Sequence, residues 1–160
     1  MKPPQINQHA RSMVRTPQTG QTNRMTGVAR PNVVMPQKRA PNYTVQAPVP
    51  LGGRSHQIRA TIQGTPQVAG SVEIGAARGG TAYISNLRVD QQHRRRGVAA
   101  QLIDAAINTA RRQGFKAASL EARPSDNGIS PQALVAMYRR QGFKSVGKSG
   151  RGNPLMERKL

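Results

Sequence analysis

Arg94, Arg95, Arg96, Gly97, Val98 and Ala99 form an Arg-x-x-Gly-x-Ala hexapeptide whose residue types suit a bound pyrophosphate. The arginines stay charged at any physiological pH and present forked donors to phosphate oxygens. Gly97 has no Cβ, so the backbone can approach a ligand and take conformations closed to other residues. The chemistry works if a helix starts at the glycine, because the first N–H groups of a helix lack partners and its dipole is positive there. The plainer alternative is a solvated basic patch on a protein that is basic throughout.

A second phosphate-like pattern fails on context. Gly142-Phe143-Lys144-Ser145-Val146-Gly147-Lys148-Ser149 satisfies G-x-x-x-x-G-K-S letter for letter. A P-loop must follow a strand and open a helix, whereas a helical pattern ends at Gly142 and only Gly150 to Leu160, with Pro154 among them, remain. His9, His56 and His93 are scattered without metal-ligand spacing and are expected at the surface, so no metal is implied. There is no cysteine, which excludes a disulfide frame, a thiolate metal site and a thiol nucleophile.

The hexapeptide needs a strand before it and a helix after it, and the pattern supplies both. Ser55 to Ile62 alternates, Gly64-Thr65-Pro66 turns, Gln67 to Ile74 makes a second strand, and Gly79-Gly80 leads into Thr81 to Val89. Short turns between successive strands predict an antiparallel meander. Val98, Leu102, Ile103, Ala106, Ile107 and Ala110 then form one helical stripe, ending at Gly114 with Arg111 and Arg112 in the last turn. A strand at Ala117 to Ala122 and the loop Pro124 to Gly128 precede a second helix, with Ser130 as N-cap and Pro131 at N1, running to Gln141. Strands near Phe143 to Lys148 and Leu155 to Leu160 close the domain. RRQGFK occurs at 111–116 and again at 139–144; both copies sit at a helix end, and one capping solution used twice explains them without a repeat.

Lys and Arg number 25 against 6 Asp and Glu in 160 residues, a formal charge of +19 that attracts anions. Nucleic acid is a possible partner but is disfavoured by the small aromatic stock and the lack of a nucleic-acid motif. Residues 1–53 hold no acidic residue and eight of the twelve prolines, with no sustained apolar period. They are expected to form a disordered tail, leaving 54–160 as the folded domain. The composition of the tail resembles the secretion segments of bacterial type III effectors and, more distantly, a mitochondrial transit peptide. No apolar run approaches the length of a membrane span, so a soluble protein is expected, in the bacterial cytoplasm or delivered into a host cell, with the mitochondrial matrix as a lesser alternative.

From Arg54 onward the order of elements resembles the GNAT superfamily of N-acetyltransferases. Its pyrophosphate motif, Gln/Arg-x-x-Gly-x-Gly/Ala between strand and helix, matches Arg94 to Ala99. Asn86-Leu87-Arg88-Val89 resembles the cofactor strand, and Ala133 to Phe143 resembles the second helix, written A-x-x-L-Y-x-x-x-G-F. Leu120-Glu121-Ala122-Arg123 is similar to a strand of the branch that acetylates protein N-termini, ribosomal proteins included. The resemblance implies an α+β, GNAT-like fold: a mixed, largely antiparallel central sheet, with the cofactor helix after the third core strand and the second helix after the fourth. It implies acetyl-CoA as co-substrate, held by Leu87, Arg88 and Val89 along the pantetheine and by Arg94, Arg95, Arg96, Gly97, Val98 and Ala99 at the pyrophosphate. Glu121 becomes the candidate base, acting directly or through water, and Tyr138 the candidate acid that protonates the departing thiolate.

The sequence departs from the family pattern in three places. Only Gln63 to Pro66 stands where one or two helices normally separate the first strands, so the acceptor wall is either missing or supplied by residues before Arg54. The loop 126–130 is longer than usual, and Pro131 falls where many relatives have an Asn that contacts the cofactor; Asn127 is the candidate replacement. An open site favours an acceptor protein, through a lysine or chain N-terminus, over a small amine, and the overall charge favours a neutral or acidic neighbourhood for that amine. A non-catalytic module gripping an anionic partner is the alternative reading.

Overall fold

A computed structural model describes residues 41–125 and 128–160 of the chain. They form β1 (Tyr43–Val45), β2 (Val49–Gly52), β3 (Ser55–Ile62), β4 (Val68–Ala76), β5 (Thr81–Val89), α1 (Val98–Arg112), β6 (Ala117–Glu121), α2 (Pro131–Arg140), β7 (Lys144–Lys148) and β8 (Pro154–Lys159). One sheet runs in the order β1-β3-β4-β5-β6-β8-β7, with β2 also on β3. The expected meander is β3, β4 and β5, all antiparallel. The β5–β6 pair is parallel and α1 makes its crossover, so the sheet is mixed and largely antiparallel, as the resemblance implies. Among the described residues, no helix is long and apolar enough to cross a membrane.

The sheet starts earlier than expected. β1 pairs Tyr43 with Ile62, and β2 pairs Val49 with Gln57, both antiparallel to β3. Residues 43–52 are thus one edge strand, interrupted near Pro48. Prolines that would break a helix are tolerated on an edge, where no neighbour needs the missing N–H. Residues 41–53, expected to be disordered, are in this part strand, and the boundary at Arg54 is corrected to lie before Tyr43. The expected disorder of residues 1–40 and the role given to Asn127 lie outside the described residues.

Alternation decides which face of the sheet is apolar. Ile58, Val72, Ile74, Ile84, Leu120 and Met156 are buried on one face, where α1 lays its stripe from Val98 to Ala110 across β3, β4 and β5. α2 is tied to the same side, because Arg158, which shares a face with Met156, donates from Nη1 to Gln141 O at 2.6 Å. The opposite face carries Gln57, Glu73, Tyr83, Ser119, Glu121 and Glu157, all half-buried, and no helix among the described residues covers it. Residues 41–53 join the sheet edge and supply no acceptor wall.

Both RRQGFK copies are the same cap. Gly114 has φ +81° and Gly142 has φ +82°. Phe115 N–H donates to Ala110 O and Phe143 N–H to Tyr138 O, each at 3.1 Å, while each glycine N–H closes the shorter loop, to Arg111 O and Arg139 O. This is the Schellman pairing. Replacing Gly114 with Ala forces a side chain into a left-handed conformation and should cost about 1 kcal/mol, a fall of about 4 °C in thermal midpoint. A melt of the Gly114→Ala protein that matches the wild type would contradict the cap.

Candidate active site

The site begins where two strands part. β5 and β6 pair from Thr81↔Ala117 to Ile84↔Leu120 and no further. β5 continues to Val89, held by β4 on its other edge, while β6 ends at Glu121 and the chain turns away. A wedge opens between Ser85–Val89 and the segment 122–125.

A bulge in β5 decides what lines it. Ser71 opposes Arg88 but Glu73 opposes Ser85, so β5 carries one extra residue. Asn86 takes it up at φ +49°, a conformation Asn tolerates better than most residues, and its Nδ2 donates to Glu73 Oε2 at 2.8 Å. The extra residue shifts the parity of the strand. Ala82 and Ile84 face the core before the bulge, and Leu87 and Val89 pack against it afterwards, leaving Arg88 outward. An Asn within a β-branched run was the visible signal, since strands are depleted in Asn.

The cofactor half is a cleft of about 440 Å3 with Leu87, Val89, Met137 and Tyr138 on its walls and Arg94 and Arg95 beside Gly97. Gly97 is the N-cap of α1 at φ +80°, with no side-chain cap, and Gln101 N–H to Gly97 O at 3.1 Å is the first helical bond. The N–H groups of the first turn are therefore available to an anion. A Cβ built on Gly97 meets no atom within 4 Å, so the glycine is required by its φ, and the space before it stays open. Arg94 Nε donates to Val89 O at 3.1 Å, tying the loop to the end of β5. Val98 is buried and Ala99 half-buried along the cleft, whereas Arg96 is exposed and is not among the residues lining it.

His93 corrects the expectation of surface histidines. It is 6% exposed on the cleft wall, with Nδ1 3.2 Å from the Tyr43 hydroxyl and the two rings edge to face at 5.7 Å. Its Nε2 is buried without a hydrogen-bond partner. His56 is half-buried with Nδ1 3.2 Å from Gln113 Nε2. An uncapped helix start, flanking arginines, apolar walls and an unpaired polar atom fit a ligand that is anionic at one end and amide-bearing along its length, as coenzyme A is.

Beyond the wedge lies a cavity of about 220 Å3 lined by Tyr83, Ser85, Arg88, Glu121, Arg123 and Tyr138. The structure thus brings Glu121 and Tyr138 to one place. Glu121 Oε1 accepts from Asn153 Nδ2 at 2.6 Å and from Ser149 Oγ at 2.9 Å. Those two hydrogen bonds hold its carboxyl below the usual range, with Arg151 and Arg123 helping and partial burial opposing. Ser149 and Asn153 come from the β7–β8 turn, closed by Ser149 N–H to Asn153 O at 2.8 Å. The P-loop look-alike ends at a carboxylate-holding serine, and its middle is strand.

Tyr138 is 5% exposed and packs edge to face on Phe143 at 6.1 Å. Burial, with Tyr83 adding to it, pushes its phenol up to about 12. Among the described residues no protein group hydrogen-bonds its hydroxyl, which is not sealed in and opens on the wedge.

A depressed folded-state carboxyl contributes stability that is present above the ordinary Glu range and is lost as pH falls through the folded value. Asn153→Ala removes the largest cause of the depression, so the Glu121 carboxyl should titrate at higher pH in this variant. Side-chain carboxyl NMR reads this directly, and an unmoved midpoint would contradict the assignment.

Residues 40–143 match the Acetyltransferase (GNAT) family. N-acetyltransferase 8 of Homo sapiens is 36% identical over 64 residues, which are 40% of this chain and 26% of that protein, so the match spans about a quarter of the human protein. The PaiA N-acetyltransferase of Thermoplasma acidophilum, solved in complex with coenzyme A, superposes with a TM-score of 0.56 at 16% identity over 67% of this chain and 62% of the other. The ribosomal-protein-S18-alanine N-acetyltransferase of Escherichia coli does so with a TM-score of 0.53 at 21% identity over 68% and 71%.

Proposed function

The chain belongs to the Acetyltransferase (GNAT) family, and from that premise we propose that it transfers the acetyl group of acetyl-CoA to an amine. The observation that carries this reading is the wedge between β5 and β6, which has the uncapped start of α1 and its arginines at one end and Glu121 and Tyr138 at the other. Leu87 and Val89 line the pantetheine arm, the first turn of α1 with Arg94 and Arg95 holds the pyrophosphate, and acetyl-CoA supplies an activated thioester.

The roles of the two titratable groups follow from their environments. Glu121, held ionised, attracts the acceptor's ammonium and leads its proton away to solvent. A carboxylate this stabilised is a weak base, so it works by position more than by basicity. Tyr138 stays protonated throughout the range in which amines become neutral, and it donates to the sulfur as the thiolate leaves.

The acceptor is a protein amine. The polar sheet face beside Glu121 lacks a covering helix among the described residues, which leaves room for a bulky substrate. Arg59, Arg88, Lys144 and Lys159 stand on this face beside Glu73, Glu121 and Glu157, so the preference for a neutral or acidic acceptor neighbourhood is kept, with Glu121 as the local anionic point. The acid-free N-terminal composition supports delivery of the enzyme out of its own cell, and a reporter fused to residues 1–50 that stays inside the bacterium would remove that part of the reading.

Isothermal titration should detect coenzyme A binding, and Arg94→Ala should weaken it about tenfold through a lost charge-assisted contact. Tyr138→Phe should bind coenzyme A as tightly as the wild type yet turn over about 100-fold more slowly, the pattern of an interaction made at the transition state. No binding at millimolar coenzyme A would end the proposal.

A further inference from the structure

We propose that Tyr83 is a further catalytic residue, its phenol hydroxyl holding the acceptor amine beside Glu121 and relaying the proton that the amine loses. The inference rests on the acetyl-transfer reading above and adds a residue to it. Tyr83 pairs with Ser119 in the parallel β5–β6 ladder. Glu121, two residues on, shares the face of Tyr83 on the neighbouring strand, a diagonal separation of about 7 Å that a tyrosine side chain can bridge. The pair Ile84↔Leu120 between them is the last before the strands part, so both groups stand at the mouth of the wedge. Both line the 220 Å3 cavity together with Tyr138.

The hydroxyl of Tyr83 is available. Its side chain is half-buried, yet among the described residues no protein group hydrogen-bonds it. A partly buried phenol usually finds a partner, and the cavity that Tyr83 lines has room for one. Burial and the Glu121 carboxylate push this phenol up, against Arg151, and Tyr83 in turn raises Tyr138. Arg88 and Arg123 rim the same cavity. Both tyrosines are therefore neutral hydroxyls, able to accept and donate at once.

The proton path follows. The amine lone pair attacks the thioester carbonyl carbon; the C–N bond forms, the C–S bond breaks, and the sulfur keeps the electron pair and takes the proton of Tyr138. The surplus proton on nitrogen passes to the Tyr83 oxygen as the phenol gives its own proton to Glu121, which releases it to solvent. Solvent restores Tyr138. A relay suits this site because Oε1 of Glu121 is already engaged by Asn153 and Ser149. A neutral hydroxyl can bridge the amine to the carboxylate without a second charge.

The chain contains three tyrosines, so tyrosine labelled with carbon-13 at Cζ gives a spectrum that Y83F and Y138F assign. In E121Q the Tyr83 midpoint should move to lower pH, because the carboxylate charge that raises it is gone; an unmoved midpoint overturns the juxtaposition. This readout needs no turnover, so it stands apart from the acetyl-transfer reading, which fails on its own if the wild type binds no coenzyme A. With acetyl-CoA and a lysine-containing peptide, Y83F should lower kcat/KM for the peptide about 100-fold while leaving coenzyme A affinity unchanged. Wild-type rates in Y83F, or a parallel loss of coenzyme A binding, would overturn the proposal.

Discussion

The parting of β5 and β6 after Ile84↔Leu120 is the constraint on which the rest of the molecule depends. Two neighbouring strands that stop pairing expose backbone donors and acceptors, and leaving such groups buried and unpaired costs roughly 1–3 kcal/mol each. The wedge is therefore stable only when wet or filled by something polar and extended. The bulge at Asn86 sharpens this. Its extra residue turns Leu87 and Val89 toward the core, while β4 keeps hold of Arg88 and Val89 through Ser71 and Gly70. One edge of β5 stays bonded and the other opens.

Half of the acidic residues gather along the same line. A net charge of +19 would repel any cationic acceptor if it were spread evenly, yet three of the six acidic residues, Glu73, Glu121 and Glu157, stand on the one sheet face that no described helix covers. The arginines beside Gly97 lie at the opposite end of the wedge. At physiological salt, exposed charges farther apart than about 8 Å are largely screened, so each end presents its own local field. At the Glu121 end Arg88 and Arg123 rim the cavity and Arg151 acts on the carboxylate, so in the proposed reaction an acceptor ammonium meets both signs and is drawn to Glu121 itself.

What could be read in the sequence was local. The stripe of α1, the Ser130 cap whose Oγ accepts from Ala133 N–H, both glycine caps and the strand–loop–helix order around Gly97 depend on residues a few positions apart. What could not be read depends on register. Ser149 and Asn153 reach Glu121 only because Glu121 pairs with Leu155 and so lies beside the β7–β8 turn. Tyr43 meets His93 across fifty residues because β1 pairs with β3, and the segment holding Tyr43 was hidden by prolines that look like disorder. Asn86 stands between these cases: its type was visible, but the parity change it causes appears only against β4.

Glu121 and Tyr138 illustrate how environment assigns chemistry. Paired groups whose pKa values are pushed apart mark an acid and a base when each moves toward neutrality. In this site each moves the other way: the carboxyl is driven down by Asn153 and Ser149, and the phenol is driven up by burial. Each is thereby held at rest in its ordinary form, one charged and one protonated. Groups poised in this way serve a reaction whose substrates bring their own reactivity, a thioester on one side and an amine on the other. Their contribution is to hold the amine against the carbonyl and to have a proton waiting where the thiolate appears, and effective molarities make positioning of that kind worth several kcal/mol. The reaction then needs a route for the proton leaving the amine that does not require a strong base, and a hydroxyl between amine and carboxylate is the economical form of such a route.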